Sequence, residues 1–183
     1  LNNYGQLDNW IAASSRLLND RMIDAATLEQ VRLLATFGAL IGNTDRHFGN
    51  LSFFDTYDGT FGLTPSYDML PMLFAPEHNQ IIARTFETAH PTADTMVCYA
   101  RARRLAEQYW RTIASDTRIS EDFRRISAEC LAALEAWPRT GPYSANPPPR
   151  LQCIPNKNQY HSTALIAGTS HARLRPDFRG RDR

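Results

Sequence analysis

The sequence predicts a mainly helical fold carrying one small β-hairpin, and three observations predict it. Four segments read as helices, the clearest of them placing apolar residues at steps of three and four. Between the second and third, two short apolar runs flank an Asp58-Gly59 turn, the pattern of a hairpin. Beyond Pro138 neither the helical nor the strand period continues.

The elements follow in order. Residues 7–19 place Trp10, Ile11, Ala13, Leu17 and Leu18 on a helical face that ends in polar residues around Asp20. Thr27 and Gln30 have capping-box spacing, and Val31, Leu34, Phe37, Leu40 and Ile41 follow on one face, so a buried helix is expected from Thr27 to near Gly42. Residues 43–50 are a polar loop, 51–54 a strand, 55–60 a turn and 61–63 a second strand. Pro65 and Pro71 bracket residues 66–70 and keep Tyr67-Asp68-Met69 irregular. Two further helices are expected over about 95–115 and 120–137, the second with Phe123, Ile126, Cys130, Leu134 and Trp137 on one face.

At 183 residues, with 43% hydrophobic and 21% charged, the chain can bury one core. Its net charge of +1 hides an asymmetry: residues 1–137 carry 12 Arg against 17 acidic residues, and residues 138–183 carry 8 basic against 2 acidic. The reading is therefore a helical domain over 1–137 and a Pro/Arg-rich, disordered tail over 138–183, where Pro147-Pro148-Pro149 stands among sparse apolar residues. Cys98, Cys130 and Cys153 are far apart and show no CxxC spacing, which argues against a zinc knuckle or a disulfide framework and for a reducing cytoplasm. No apolar run approaches the roughly 20 residues that span a bilayer. The chain opens on Leu1 and enters an Asn-Asn-Tyr-Gly turn at once, as an internal fragment of a longer protein does.

The chemistry concentrates in Ile41-Gly-Asn-Thr-Asp45-Arg-His-Phe-Gly-Asn50 and, one hairpin later, in Asp68. Phosphoryl transfer asks little covalent help of a protein but needs positioned charge: an Asp to orient or deprotonate the attacking hydroxyl, and an Asn and a second Asp for magnesium. Asp45 and Asn50 supply two of these in one tight loop. Short strands joined by a turn return to their start, so Asp68 comes back beside that loop although it lies 18 residues beyond Asn50.

Leu40-Ile-Gly-Asn-Thr-Asp-Arg-His-Phe-Gly-Asn50 together with Leu63-Thr-Pro-Ser-Tyr-Asp-Met-Leu-Pro71 resembles the C-terminal domain of the HipA family of toxin serine/threonine kinases, with the YjjJ-like branch as a candidate within it. The resemblance covers about residues 1–137. It implies a kinase-like C-lobe, with Asp45 as catalytic base, Asn50 and Asp68 as magnesium ligands, and ATP as co-substrate contacted by Asn50, Asp68 and His47. It also implies a toxin of a toxin-antitoxin pair, with a protein substrate such as an aminoacyl-tRNA synthetase and a DNA-binding antitoxin as partner. Two departures bear on this. Some family members carry Lys where this chain has Gly49, and the only Lys in the whole sequence is Lys157, in the tail. A kinase needs a Lys in its N-lobe to pair the nucleotide phosphates, and no glycine-rich loop precedes Asp45. The N-lobe is thus missing here, whether the chain is a fragment or the product of a split or degraded gene.

Several residues have a plain reading beside the functional one. Asn43 caps the preceding helix or touches substrate. His47 contacts phosphate, substrate or Asp68, or else shapes the loop by hydrogen bonding. Arg46 is read as a loop-stabilising ion pair, and Tyr67 and Met69 as packing around Asp68. Arg101, Arg103 and Arg104 are read as a solvated helix face, with Glu107 in reach of Arg103 at i, i+4, and Arg173, Arg175, Arg179, Arg181 and Arg183 as nonspecific charge. Two rival functions stand beside the kinase lobe. One is a catalytically dead module that docks a partner, an antitoxin or a separate N-lobe, and the other is a hydrolase binding a transition metal through Asp45, His47 and Asp68.

Overall fold

Helix α1 (Trp10–Asn19) begins where Asn9, in extended backbone, accepts a hydrogen bond from the Ala12 amide at 2.9 Å. Its buried face is Trp10, Ala13, Ser14 and Leu17, the spacing that lays one stripe against a neighbour. That neighbour is α2 (Ala25–Leu40). The computed structural model describes residues 9–78 and 82–136, so the expected first turn at Leu7, Trp137 of the last expected helix and the whole 138–183 tail lie outside the described residues.

Helix α2 starts two residues before the expected Thr27. Asp24 is the cap, its carboxylate accepting from the Thr27 amide at 2.7 Å, and Thr27 sits inside the first turn. The charged cap wins over the Thr-Gln box because it also meets the positive end of the helix dipole, and Ala25 and Ala26 extend the helix at no propensity cost. The far end matches the expectation near Gly42. Gly42 takes φ +69°, its amide bonds Ala39 O at 3.2 Å, and the Asn43 amide bonds Gly38 O at 2.8 Å. These are the paired bonds of a Schellman cap, which requires a left-handed residue and so a glycine.

The hairpin is β1 (Phe53–Asp55) against β2 (Phe61–Leu63), antiparallel, with Phe53 opposite Leu63 and Asp55 opposite Phe61. The first strand begins two residues later than expected because Leu51 is still tied to a 3-10 turn at Phe48–Asn50, its amide bonding Phe48 O. In the connecting turn the Asp58 carboxylate accepts from the Thr56 hydroxyl and from the Thr60 hydroxyl and amide, which holds its pKa down at about 2. The Phe61 amide bonds Met22 O at 2.8 Å and fastens the hairpin to the loop between α1 and α2. Phe53 and Leu63 pack beside Trp10, Val31 and Leu51, while Phe53 and Phe61 pack beside Leu17, Ile23 and Leu28.

Helices α3 (Met96–Ser115) and α4 (Glu121–Ala136) fall where the sequence places them and pack on each other, with α3 also packing on α2. The main core joins Leu40 and Ile41 of the α2 end to Tyr99, Ala102, Ala106 and Trp110 of α3 and Cys130 and Leu134 of α4. Phe74 and Phe86, from the irregular segment between β2 and α3, meet Trp110 edge-on at 6.2 and 6.0 Å. The fold is therefore mainly α with a small β-hairpin, as the sequence predicts. No helix among the described residues is long and apolar enough to cross a membrane.

One expectation on α3 is overturned. Arg103 and Glu107 do pair at i, i+4, at 2.9 Å, but the pair is buried, with side chains 7% and 11% exposed. Arg103 points at α4 and donates to Leu134 O at 2.5 Å, satisfying a carbonyl of the last turn that the helix itself leaves open. Arg101 and Arg104 are exposed, as a solvated face should be.

Candidate catalytic loops

Two loops meet on this scaffold, residues 43–52 after α2 and residues 64–71 after β2. The first is pinned at both flanks by tryptophans. Trp110 donates to Leu40 O at 3.2 Å and Trp10 donates to His47 O at 2.9 Å. Between these anchors Asn43 is 1% exposed, and its amide oxygen accepts from the Asp45 amide at 2.9 Å. Arg46 donates to Asn43 O, a carbonyl rather than the carboxylate expected of an ion pair, and burial lowers its pKa.

His47 caps the turn at Phe48–Asn50, its Nδ1 accepting from the Gly49 amide at 3.0 Å. Its Nε2 lies 3.9 Å from an Asp45 carboxylate oxygen. A β-carbon at position 49 would stand 2.8 Å from the imidazole, closer than contacts allow, so Gly49 makes room for this ring. Loop shaping is what the described contacts of His47 do, and none of them reaches Asp68.

Asn50 joins the two loops. It is 8% exposed, and its Nδ2 donates to Asp45 O and to Asp68 Oδ2, each at 3.1 Å. Asp68 has φ +53°, a left-handed backbone that Asp tolerates better than most residues but that still costs on the order of 1 kcal/mol. The neighbouring Tyr67 hydroxyl donates to Gly49 O at 2.7 Å and lies 2.6 Å from the Ser52 hydroxyl, fastening the Asp68 loop to the first loop from outside. Met69 packs beside the Trp10 and Val31 cluster as a packing residue should.

The sequence-derived trio is thus brought together through Asn50. The Asp45 backbone and the Asp68 carboxylate share its amide nitrogen, while the half-exposed Asp45 carboxylate faces His47. Because both Asn50 bonds use nitrogen, its Oδ1 and the second Asp68 oxygen keep their lone pairs for a ligand. That donor set suits magnesium, which takes one or two protein oxygens, several waters and substrate phosphates. It does not suit a transition-metal cage: among the described residues no three His, Cys, Asp or Glu side chains gather as one would need, so Asp45, His47 and Asp68 do not form that site. A groove of about 670 Å³ between α2 and α3, lined by Leu33, Leu34, Phe37, Leu105, Tyr109 and Ile113 among others, has no charged lining residue and includes none of the trio.

Two site residues were missed in the sequence, Asn43 beyond its capping role and Tyr67. Asn43 two residues before Asp45 is the spacing of an Asx-turn and could have been found from it. Nothing local marks Tyr67, whose partners lie 15 and 18 residues away.

Comparison with known proteins agrees with the motifs. The family model described as HipA-like C-terminal domain matches residues 2–137. Toxin YjjJ of Escherichia coli (strain K12) is 38% identical over 122 residues, which are 66% of this chain and 27% of that protein. The chain therefore spans about a quarter of the length of this curated relative. No solved structure matches.

Proposed function

Because the chain belongs to the HipA-like C-terminal domain family, we propose that it is the catalytic lobe of an ATP-dependent protein serine/threonine kinase, the toxin of a toxin-antitoxin pair. The observation that carries this reading is the Asn50 amide, which ties the Asp45 loop to the Asp68 carboxylate at 3.1 Å on each side. In the proposed reaction the Asp45 carboxylate orients the substrate hydroxyl and takes its proton as the oxygen attacks the terminal phosphorus of ATP, whose bond to the bridging oxygen breaks to release ADP. Asn50 Oδ1 and the Asp68 carboxylate would hold magnesium, which when bound neutralises charge on the phosphates. Asn50 also keeps Asp68 from swinging away, and His47 holds the turn from which Asn50 projects. The substrate is a protein hydroxyl, for which an aminoacyl-tRNA synthetase is one candidate, and a DNA-binding antitoxin is the expected partner.

No Lys precedes Lys157, so the residue that grips the nucleotide phosphates has to come from an N-lobe outside residues 1–137. This same fact is what favours the second reading, a docking module without activity. Co-expression with the N-terminal region of the YjjJ-like relative, followed by phosphate transfer from labelled ATP, separates them. The kinase reading expects transfer that falls by 10² to 10⁴ in Asp45→Asn, the usual contribution of a positioned base. Transfer that ignores Asp45→Asn overturns the assigned role, and no transfer from a well-folded complex leaves the docking reading standing.

A further inference from the structure

Asn43 touches both halves of the site from underneath, and we propose that it is the positioning residue that fixes Asp45 relative to Asp68. Its orientation is not arbitrary. The Asp45 amide can only donate, so the group facing it at 2.9 Å must be the Asn43 oxygen. This directs the Asn43 Nδ2 toward the other loop, where it lies 3.4 Å from Asp68 O and 3.6 Å from Met69 Sδ. One planar amide thereby sets the backbone of both carboxylate-bearing residues.

The environment makes this a rigid reference point. Asn43 is 1% exposed, its backbone amide closes the Schellman cap on Gly38 O, and its carbonyl accepts from Arg46. Helix α2 therefore fixes the Asn43 main chain, and the side chain passes that position on to the two loops. Asp68 sits in left-handed backbone, a conformation that persists only when its surroundings hold it, and the Asn43 amide at its carbonyl is one of the groups that does so. Asn50 and Tyr67 bind the loops together from the side chain of Asp68 and from its neighbour, whereas among these three it is Asn43 that reaches the Asp68 backbone. Asn43 does not touch the reacting atoms, so its effect on chemistry passes through Asp45 and Asp68. That effect rests on the kinase reading, whereas the positioning itself does not.

The test uses the full chain labelled with ¹⁵N, in wild type, Asn43→Ala and Asn43→Asp. The Asp variant keeps an oxygen for the Asp45 amide but has no proton for Asp68 O when ionised. Amide exchange at Asp45 is expected to quicken at least tenfold in Asn43→Ala and to stay within threefold of wild type in Asn43→Asp, while α2 and α3 amides remain protected in both. Should Asn43→Ala fail to fold, Asn43→Ser takes its place, with a shorter reach that cannot serve both loops. Unchanged exchange at Asp45, or a uniform rise across α2 and α3 in every variant, overturns the proposal. With the N-lobe supplied, kcat should fall at least tenfold in Asn43→Ala with the KM for ATP within twofold. If wild type transfers no phosphate, the kinase reading fails alone, because the exchange pattern still decides the role of Asn43.

Discussion

Asn50→Asp is the substitution that tests the site most sharply, because it changes one atom's chemistry and almost no shape. It replaces an amide nitrogen that donates to Asp68 Oδ2 and to Asp45 O, both at 3.1 Å, by a carboxylate oxygen facing the same two acceptors. Two unit charges at that separation repel by about 5 kcal/mol at an effective dielectric of 20. The pair avoids part of this by sharing a proton, which at pH 7 costs about 4 kcal/mol for a carboxyl of ordinary pKa, so the repulsion cannot exceed that figure. Two donated hydrogen bonds are also lost and the shared proton returns one, leaving a deficit of about 1 kcal/mol. Asp68 is exposed, so solvent screens most of that repulsion, and the expected loss of stability is about 2 kcal/mol at pH 7, between the hydrogen-bond deficit and the fully coupled limit.

The sign with pH follows from which form the folded state prefers. In the variant the folded pair holds a proton that the unfolded chain releases near pH 4, so its folded pKa is raised. Stability is then retained below about pH 4 and lost as the pH climbs toward the raised value. Urea unfolding followed by tryptophan fluorescence should give a deficit of about 2 kcal/mol at pH 7, shrinking to about 1 kcal/mol near pH 4. Magnesium provides an independent arm, since a cation between two carboxylates relieves their repulsion and should raise the variant's melting temperature more than that of wild type. A variant as stable as wild type at pH 7 without divalent cations, with no dependence on pH between about 4 and 7, would refute the placement of Asn50 between the two loops.

Two further outcomes concern the packing beneath the site. Arg103→Met should destabilise by about 3–5 kcal/mol, because it leaves Glu107 charged and buried and Leu134 O without this donor, and Arg103→Met with Glu107→Leu should recover most of that loss in a double-mutant cycle. A cost below about 1 kcal/mol would place the pair on the surface after all. Cys130 should resist thiol reagents until the protein unfolds, since burial first and the neighbouring Glu129 charge second push its pKa up to about 12. As a raised pKa requires, that contribution to stability is intact below about pH 9 and is lost as the pH rises toward 12, which Cys130→Ser should flatten in an alkaline unfolding series.

What the sequence made legible was governed by local rules. The hairpin turn at Asp58-Gly59, the end of α2 at Gly42 and the irregular stretch between Pro65 and Pro71 each follow from the backbone preferences of one or two residues, and the structure places all of them as expected. The start of α2 was misread because two capping signals overlap within four residues, and only the backbone shows that Asp24 prevails. Arg103 was misread for another reason. A helix-face pattern of Arg and Glu looks the same whether the face meets water or another helix, and the decisive partner, Leu134 O, is a backbone atom 31 residues away that carries no sequence signature. Tyr67 belongs with it, being an ordinary aromatic by type and a strap by position.

The same contrast explains how this chain can hold the positions of Asp45 and Asp68 by its own packing. The loop carrying Asp45 is flanked by carbonyls at Leu40 and His47, and each is held by an indole from a different helix, Trp110 of α3 and Trp10 of α1. Hydrogen bonds of this kind are short in reach and exact in direction, so the loop inherits the rigidity of two packed clusters rather than depending on a ligand to order it. Asp68 is held the opposite way, in an unfavourable backbone conformation maintained by Asn43, Asn50 and the Tyr67 strap beside it. One loop is thus fixed by the core and the other by polar contacts to the first loop. Weakening the Asn50 bond or the Tyr67 strap should displace Asp68 before it displaces Asp45, whereas weakening Asn43 should loosen both.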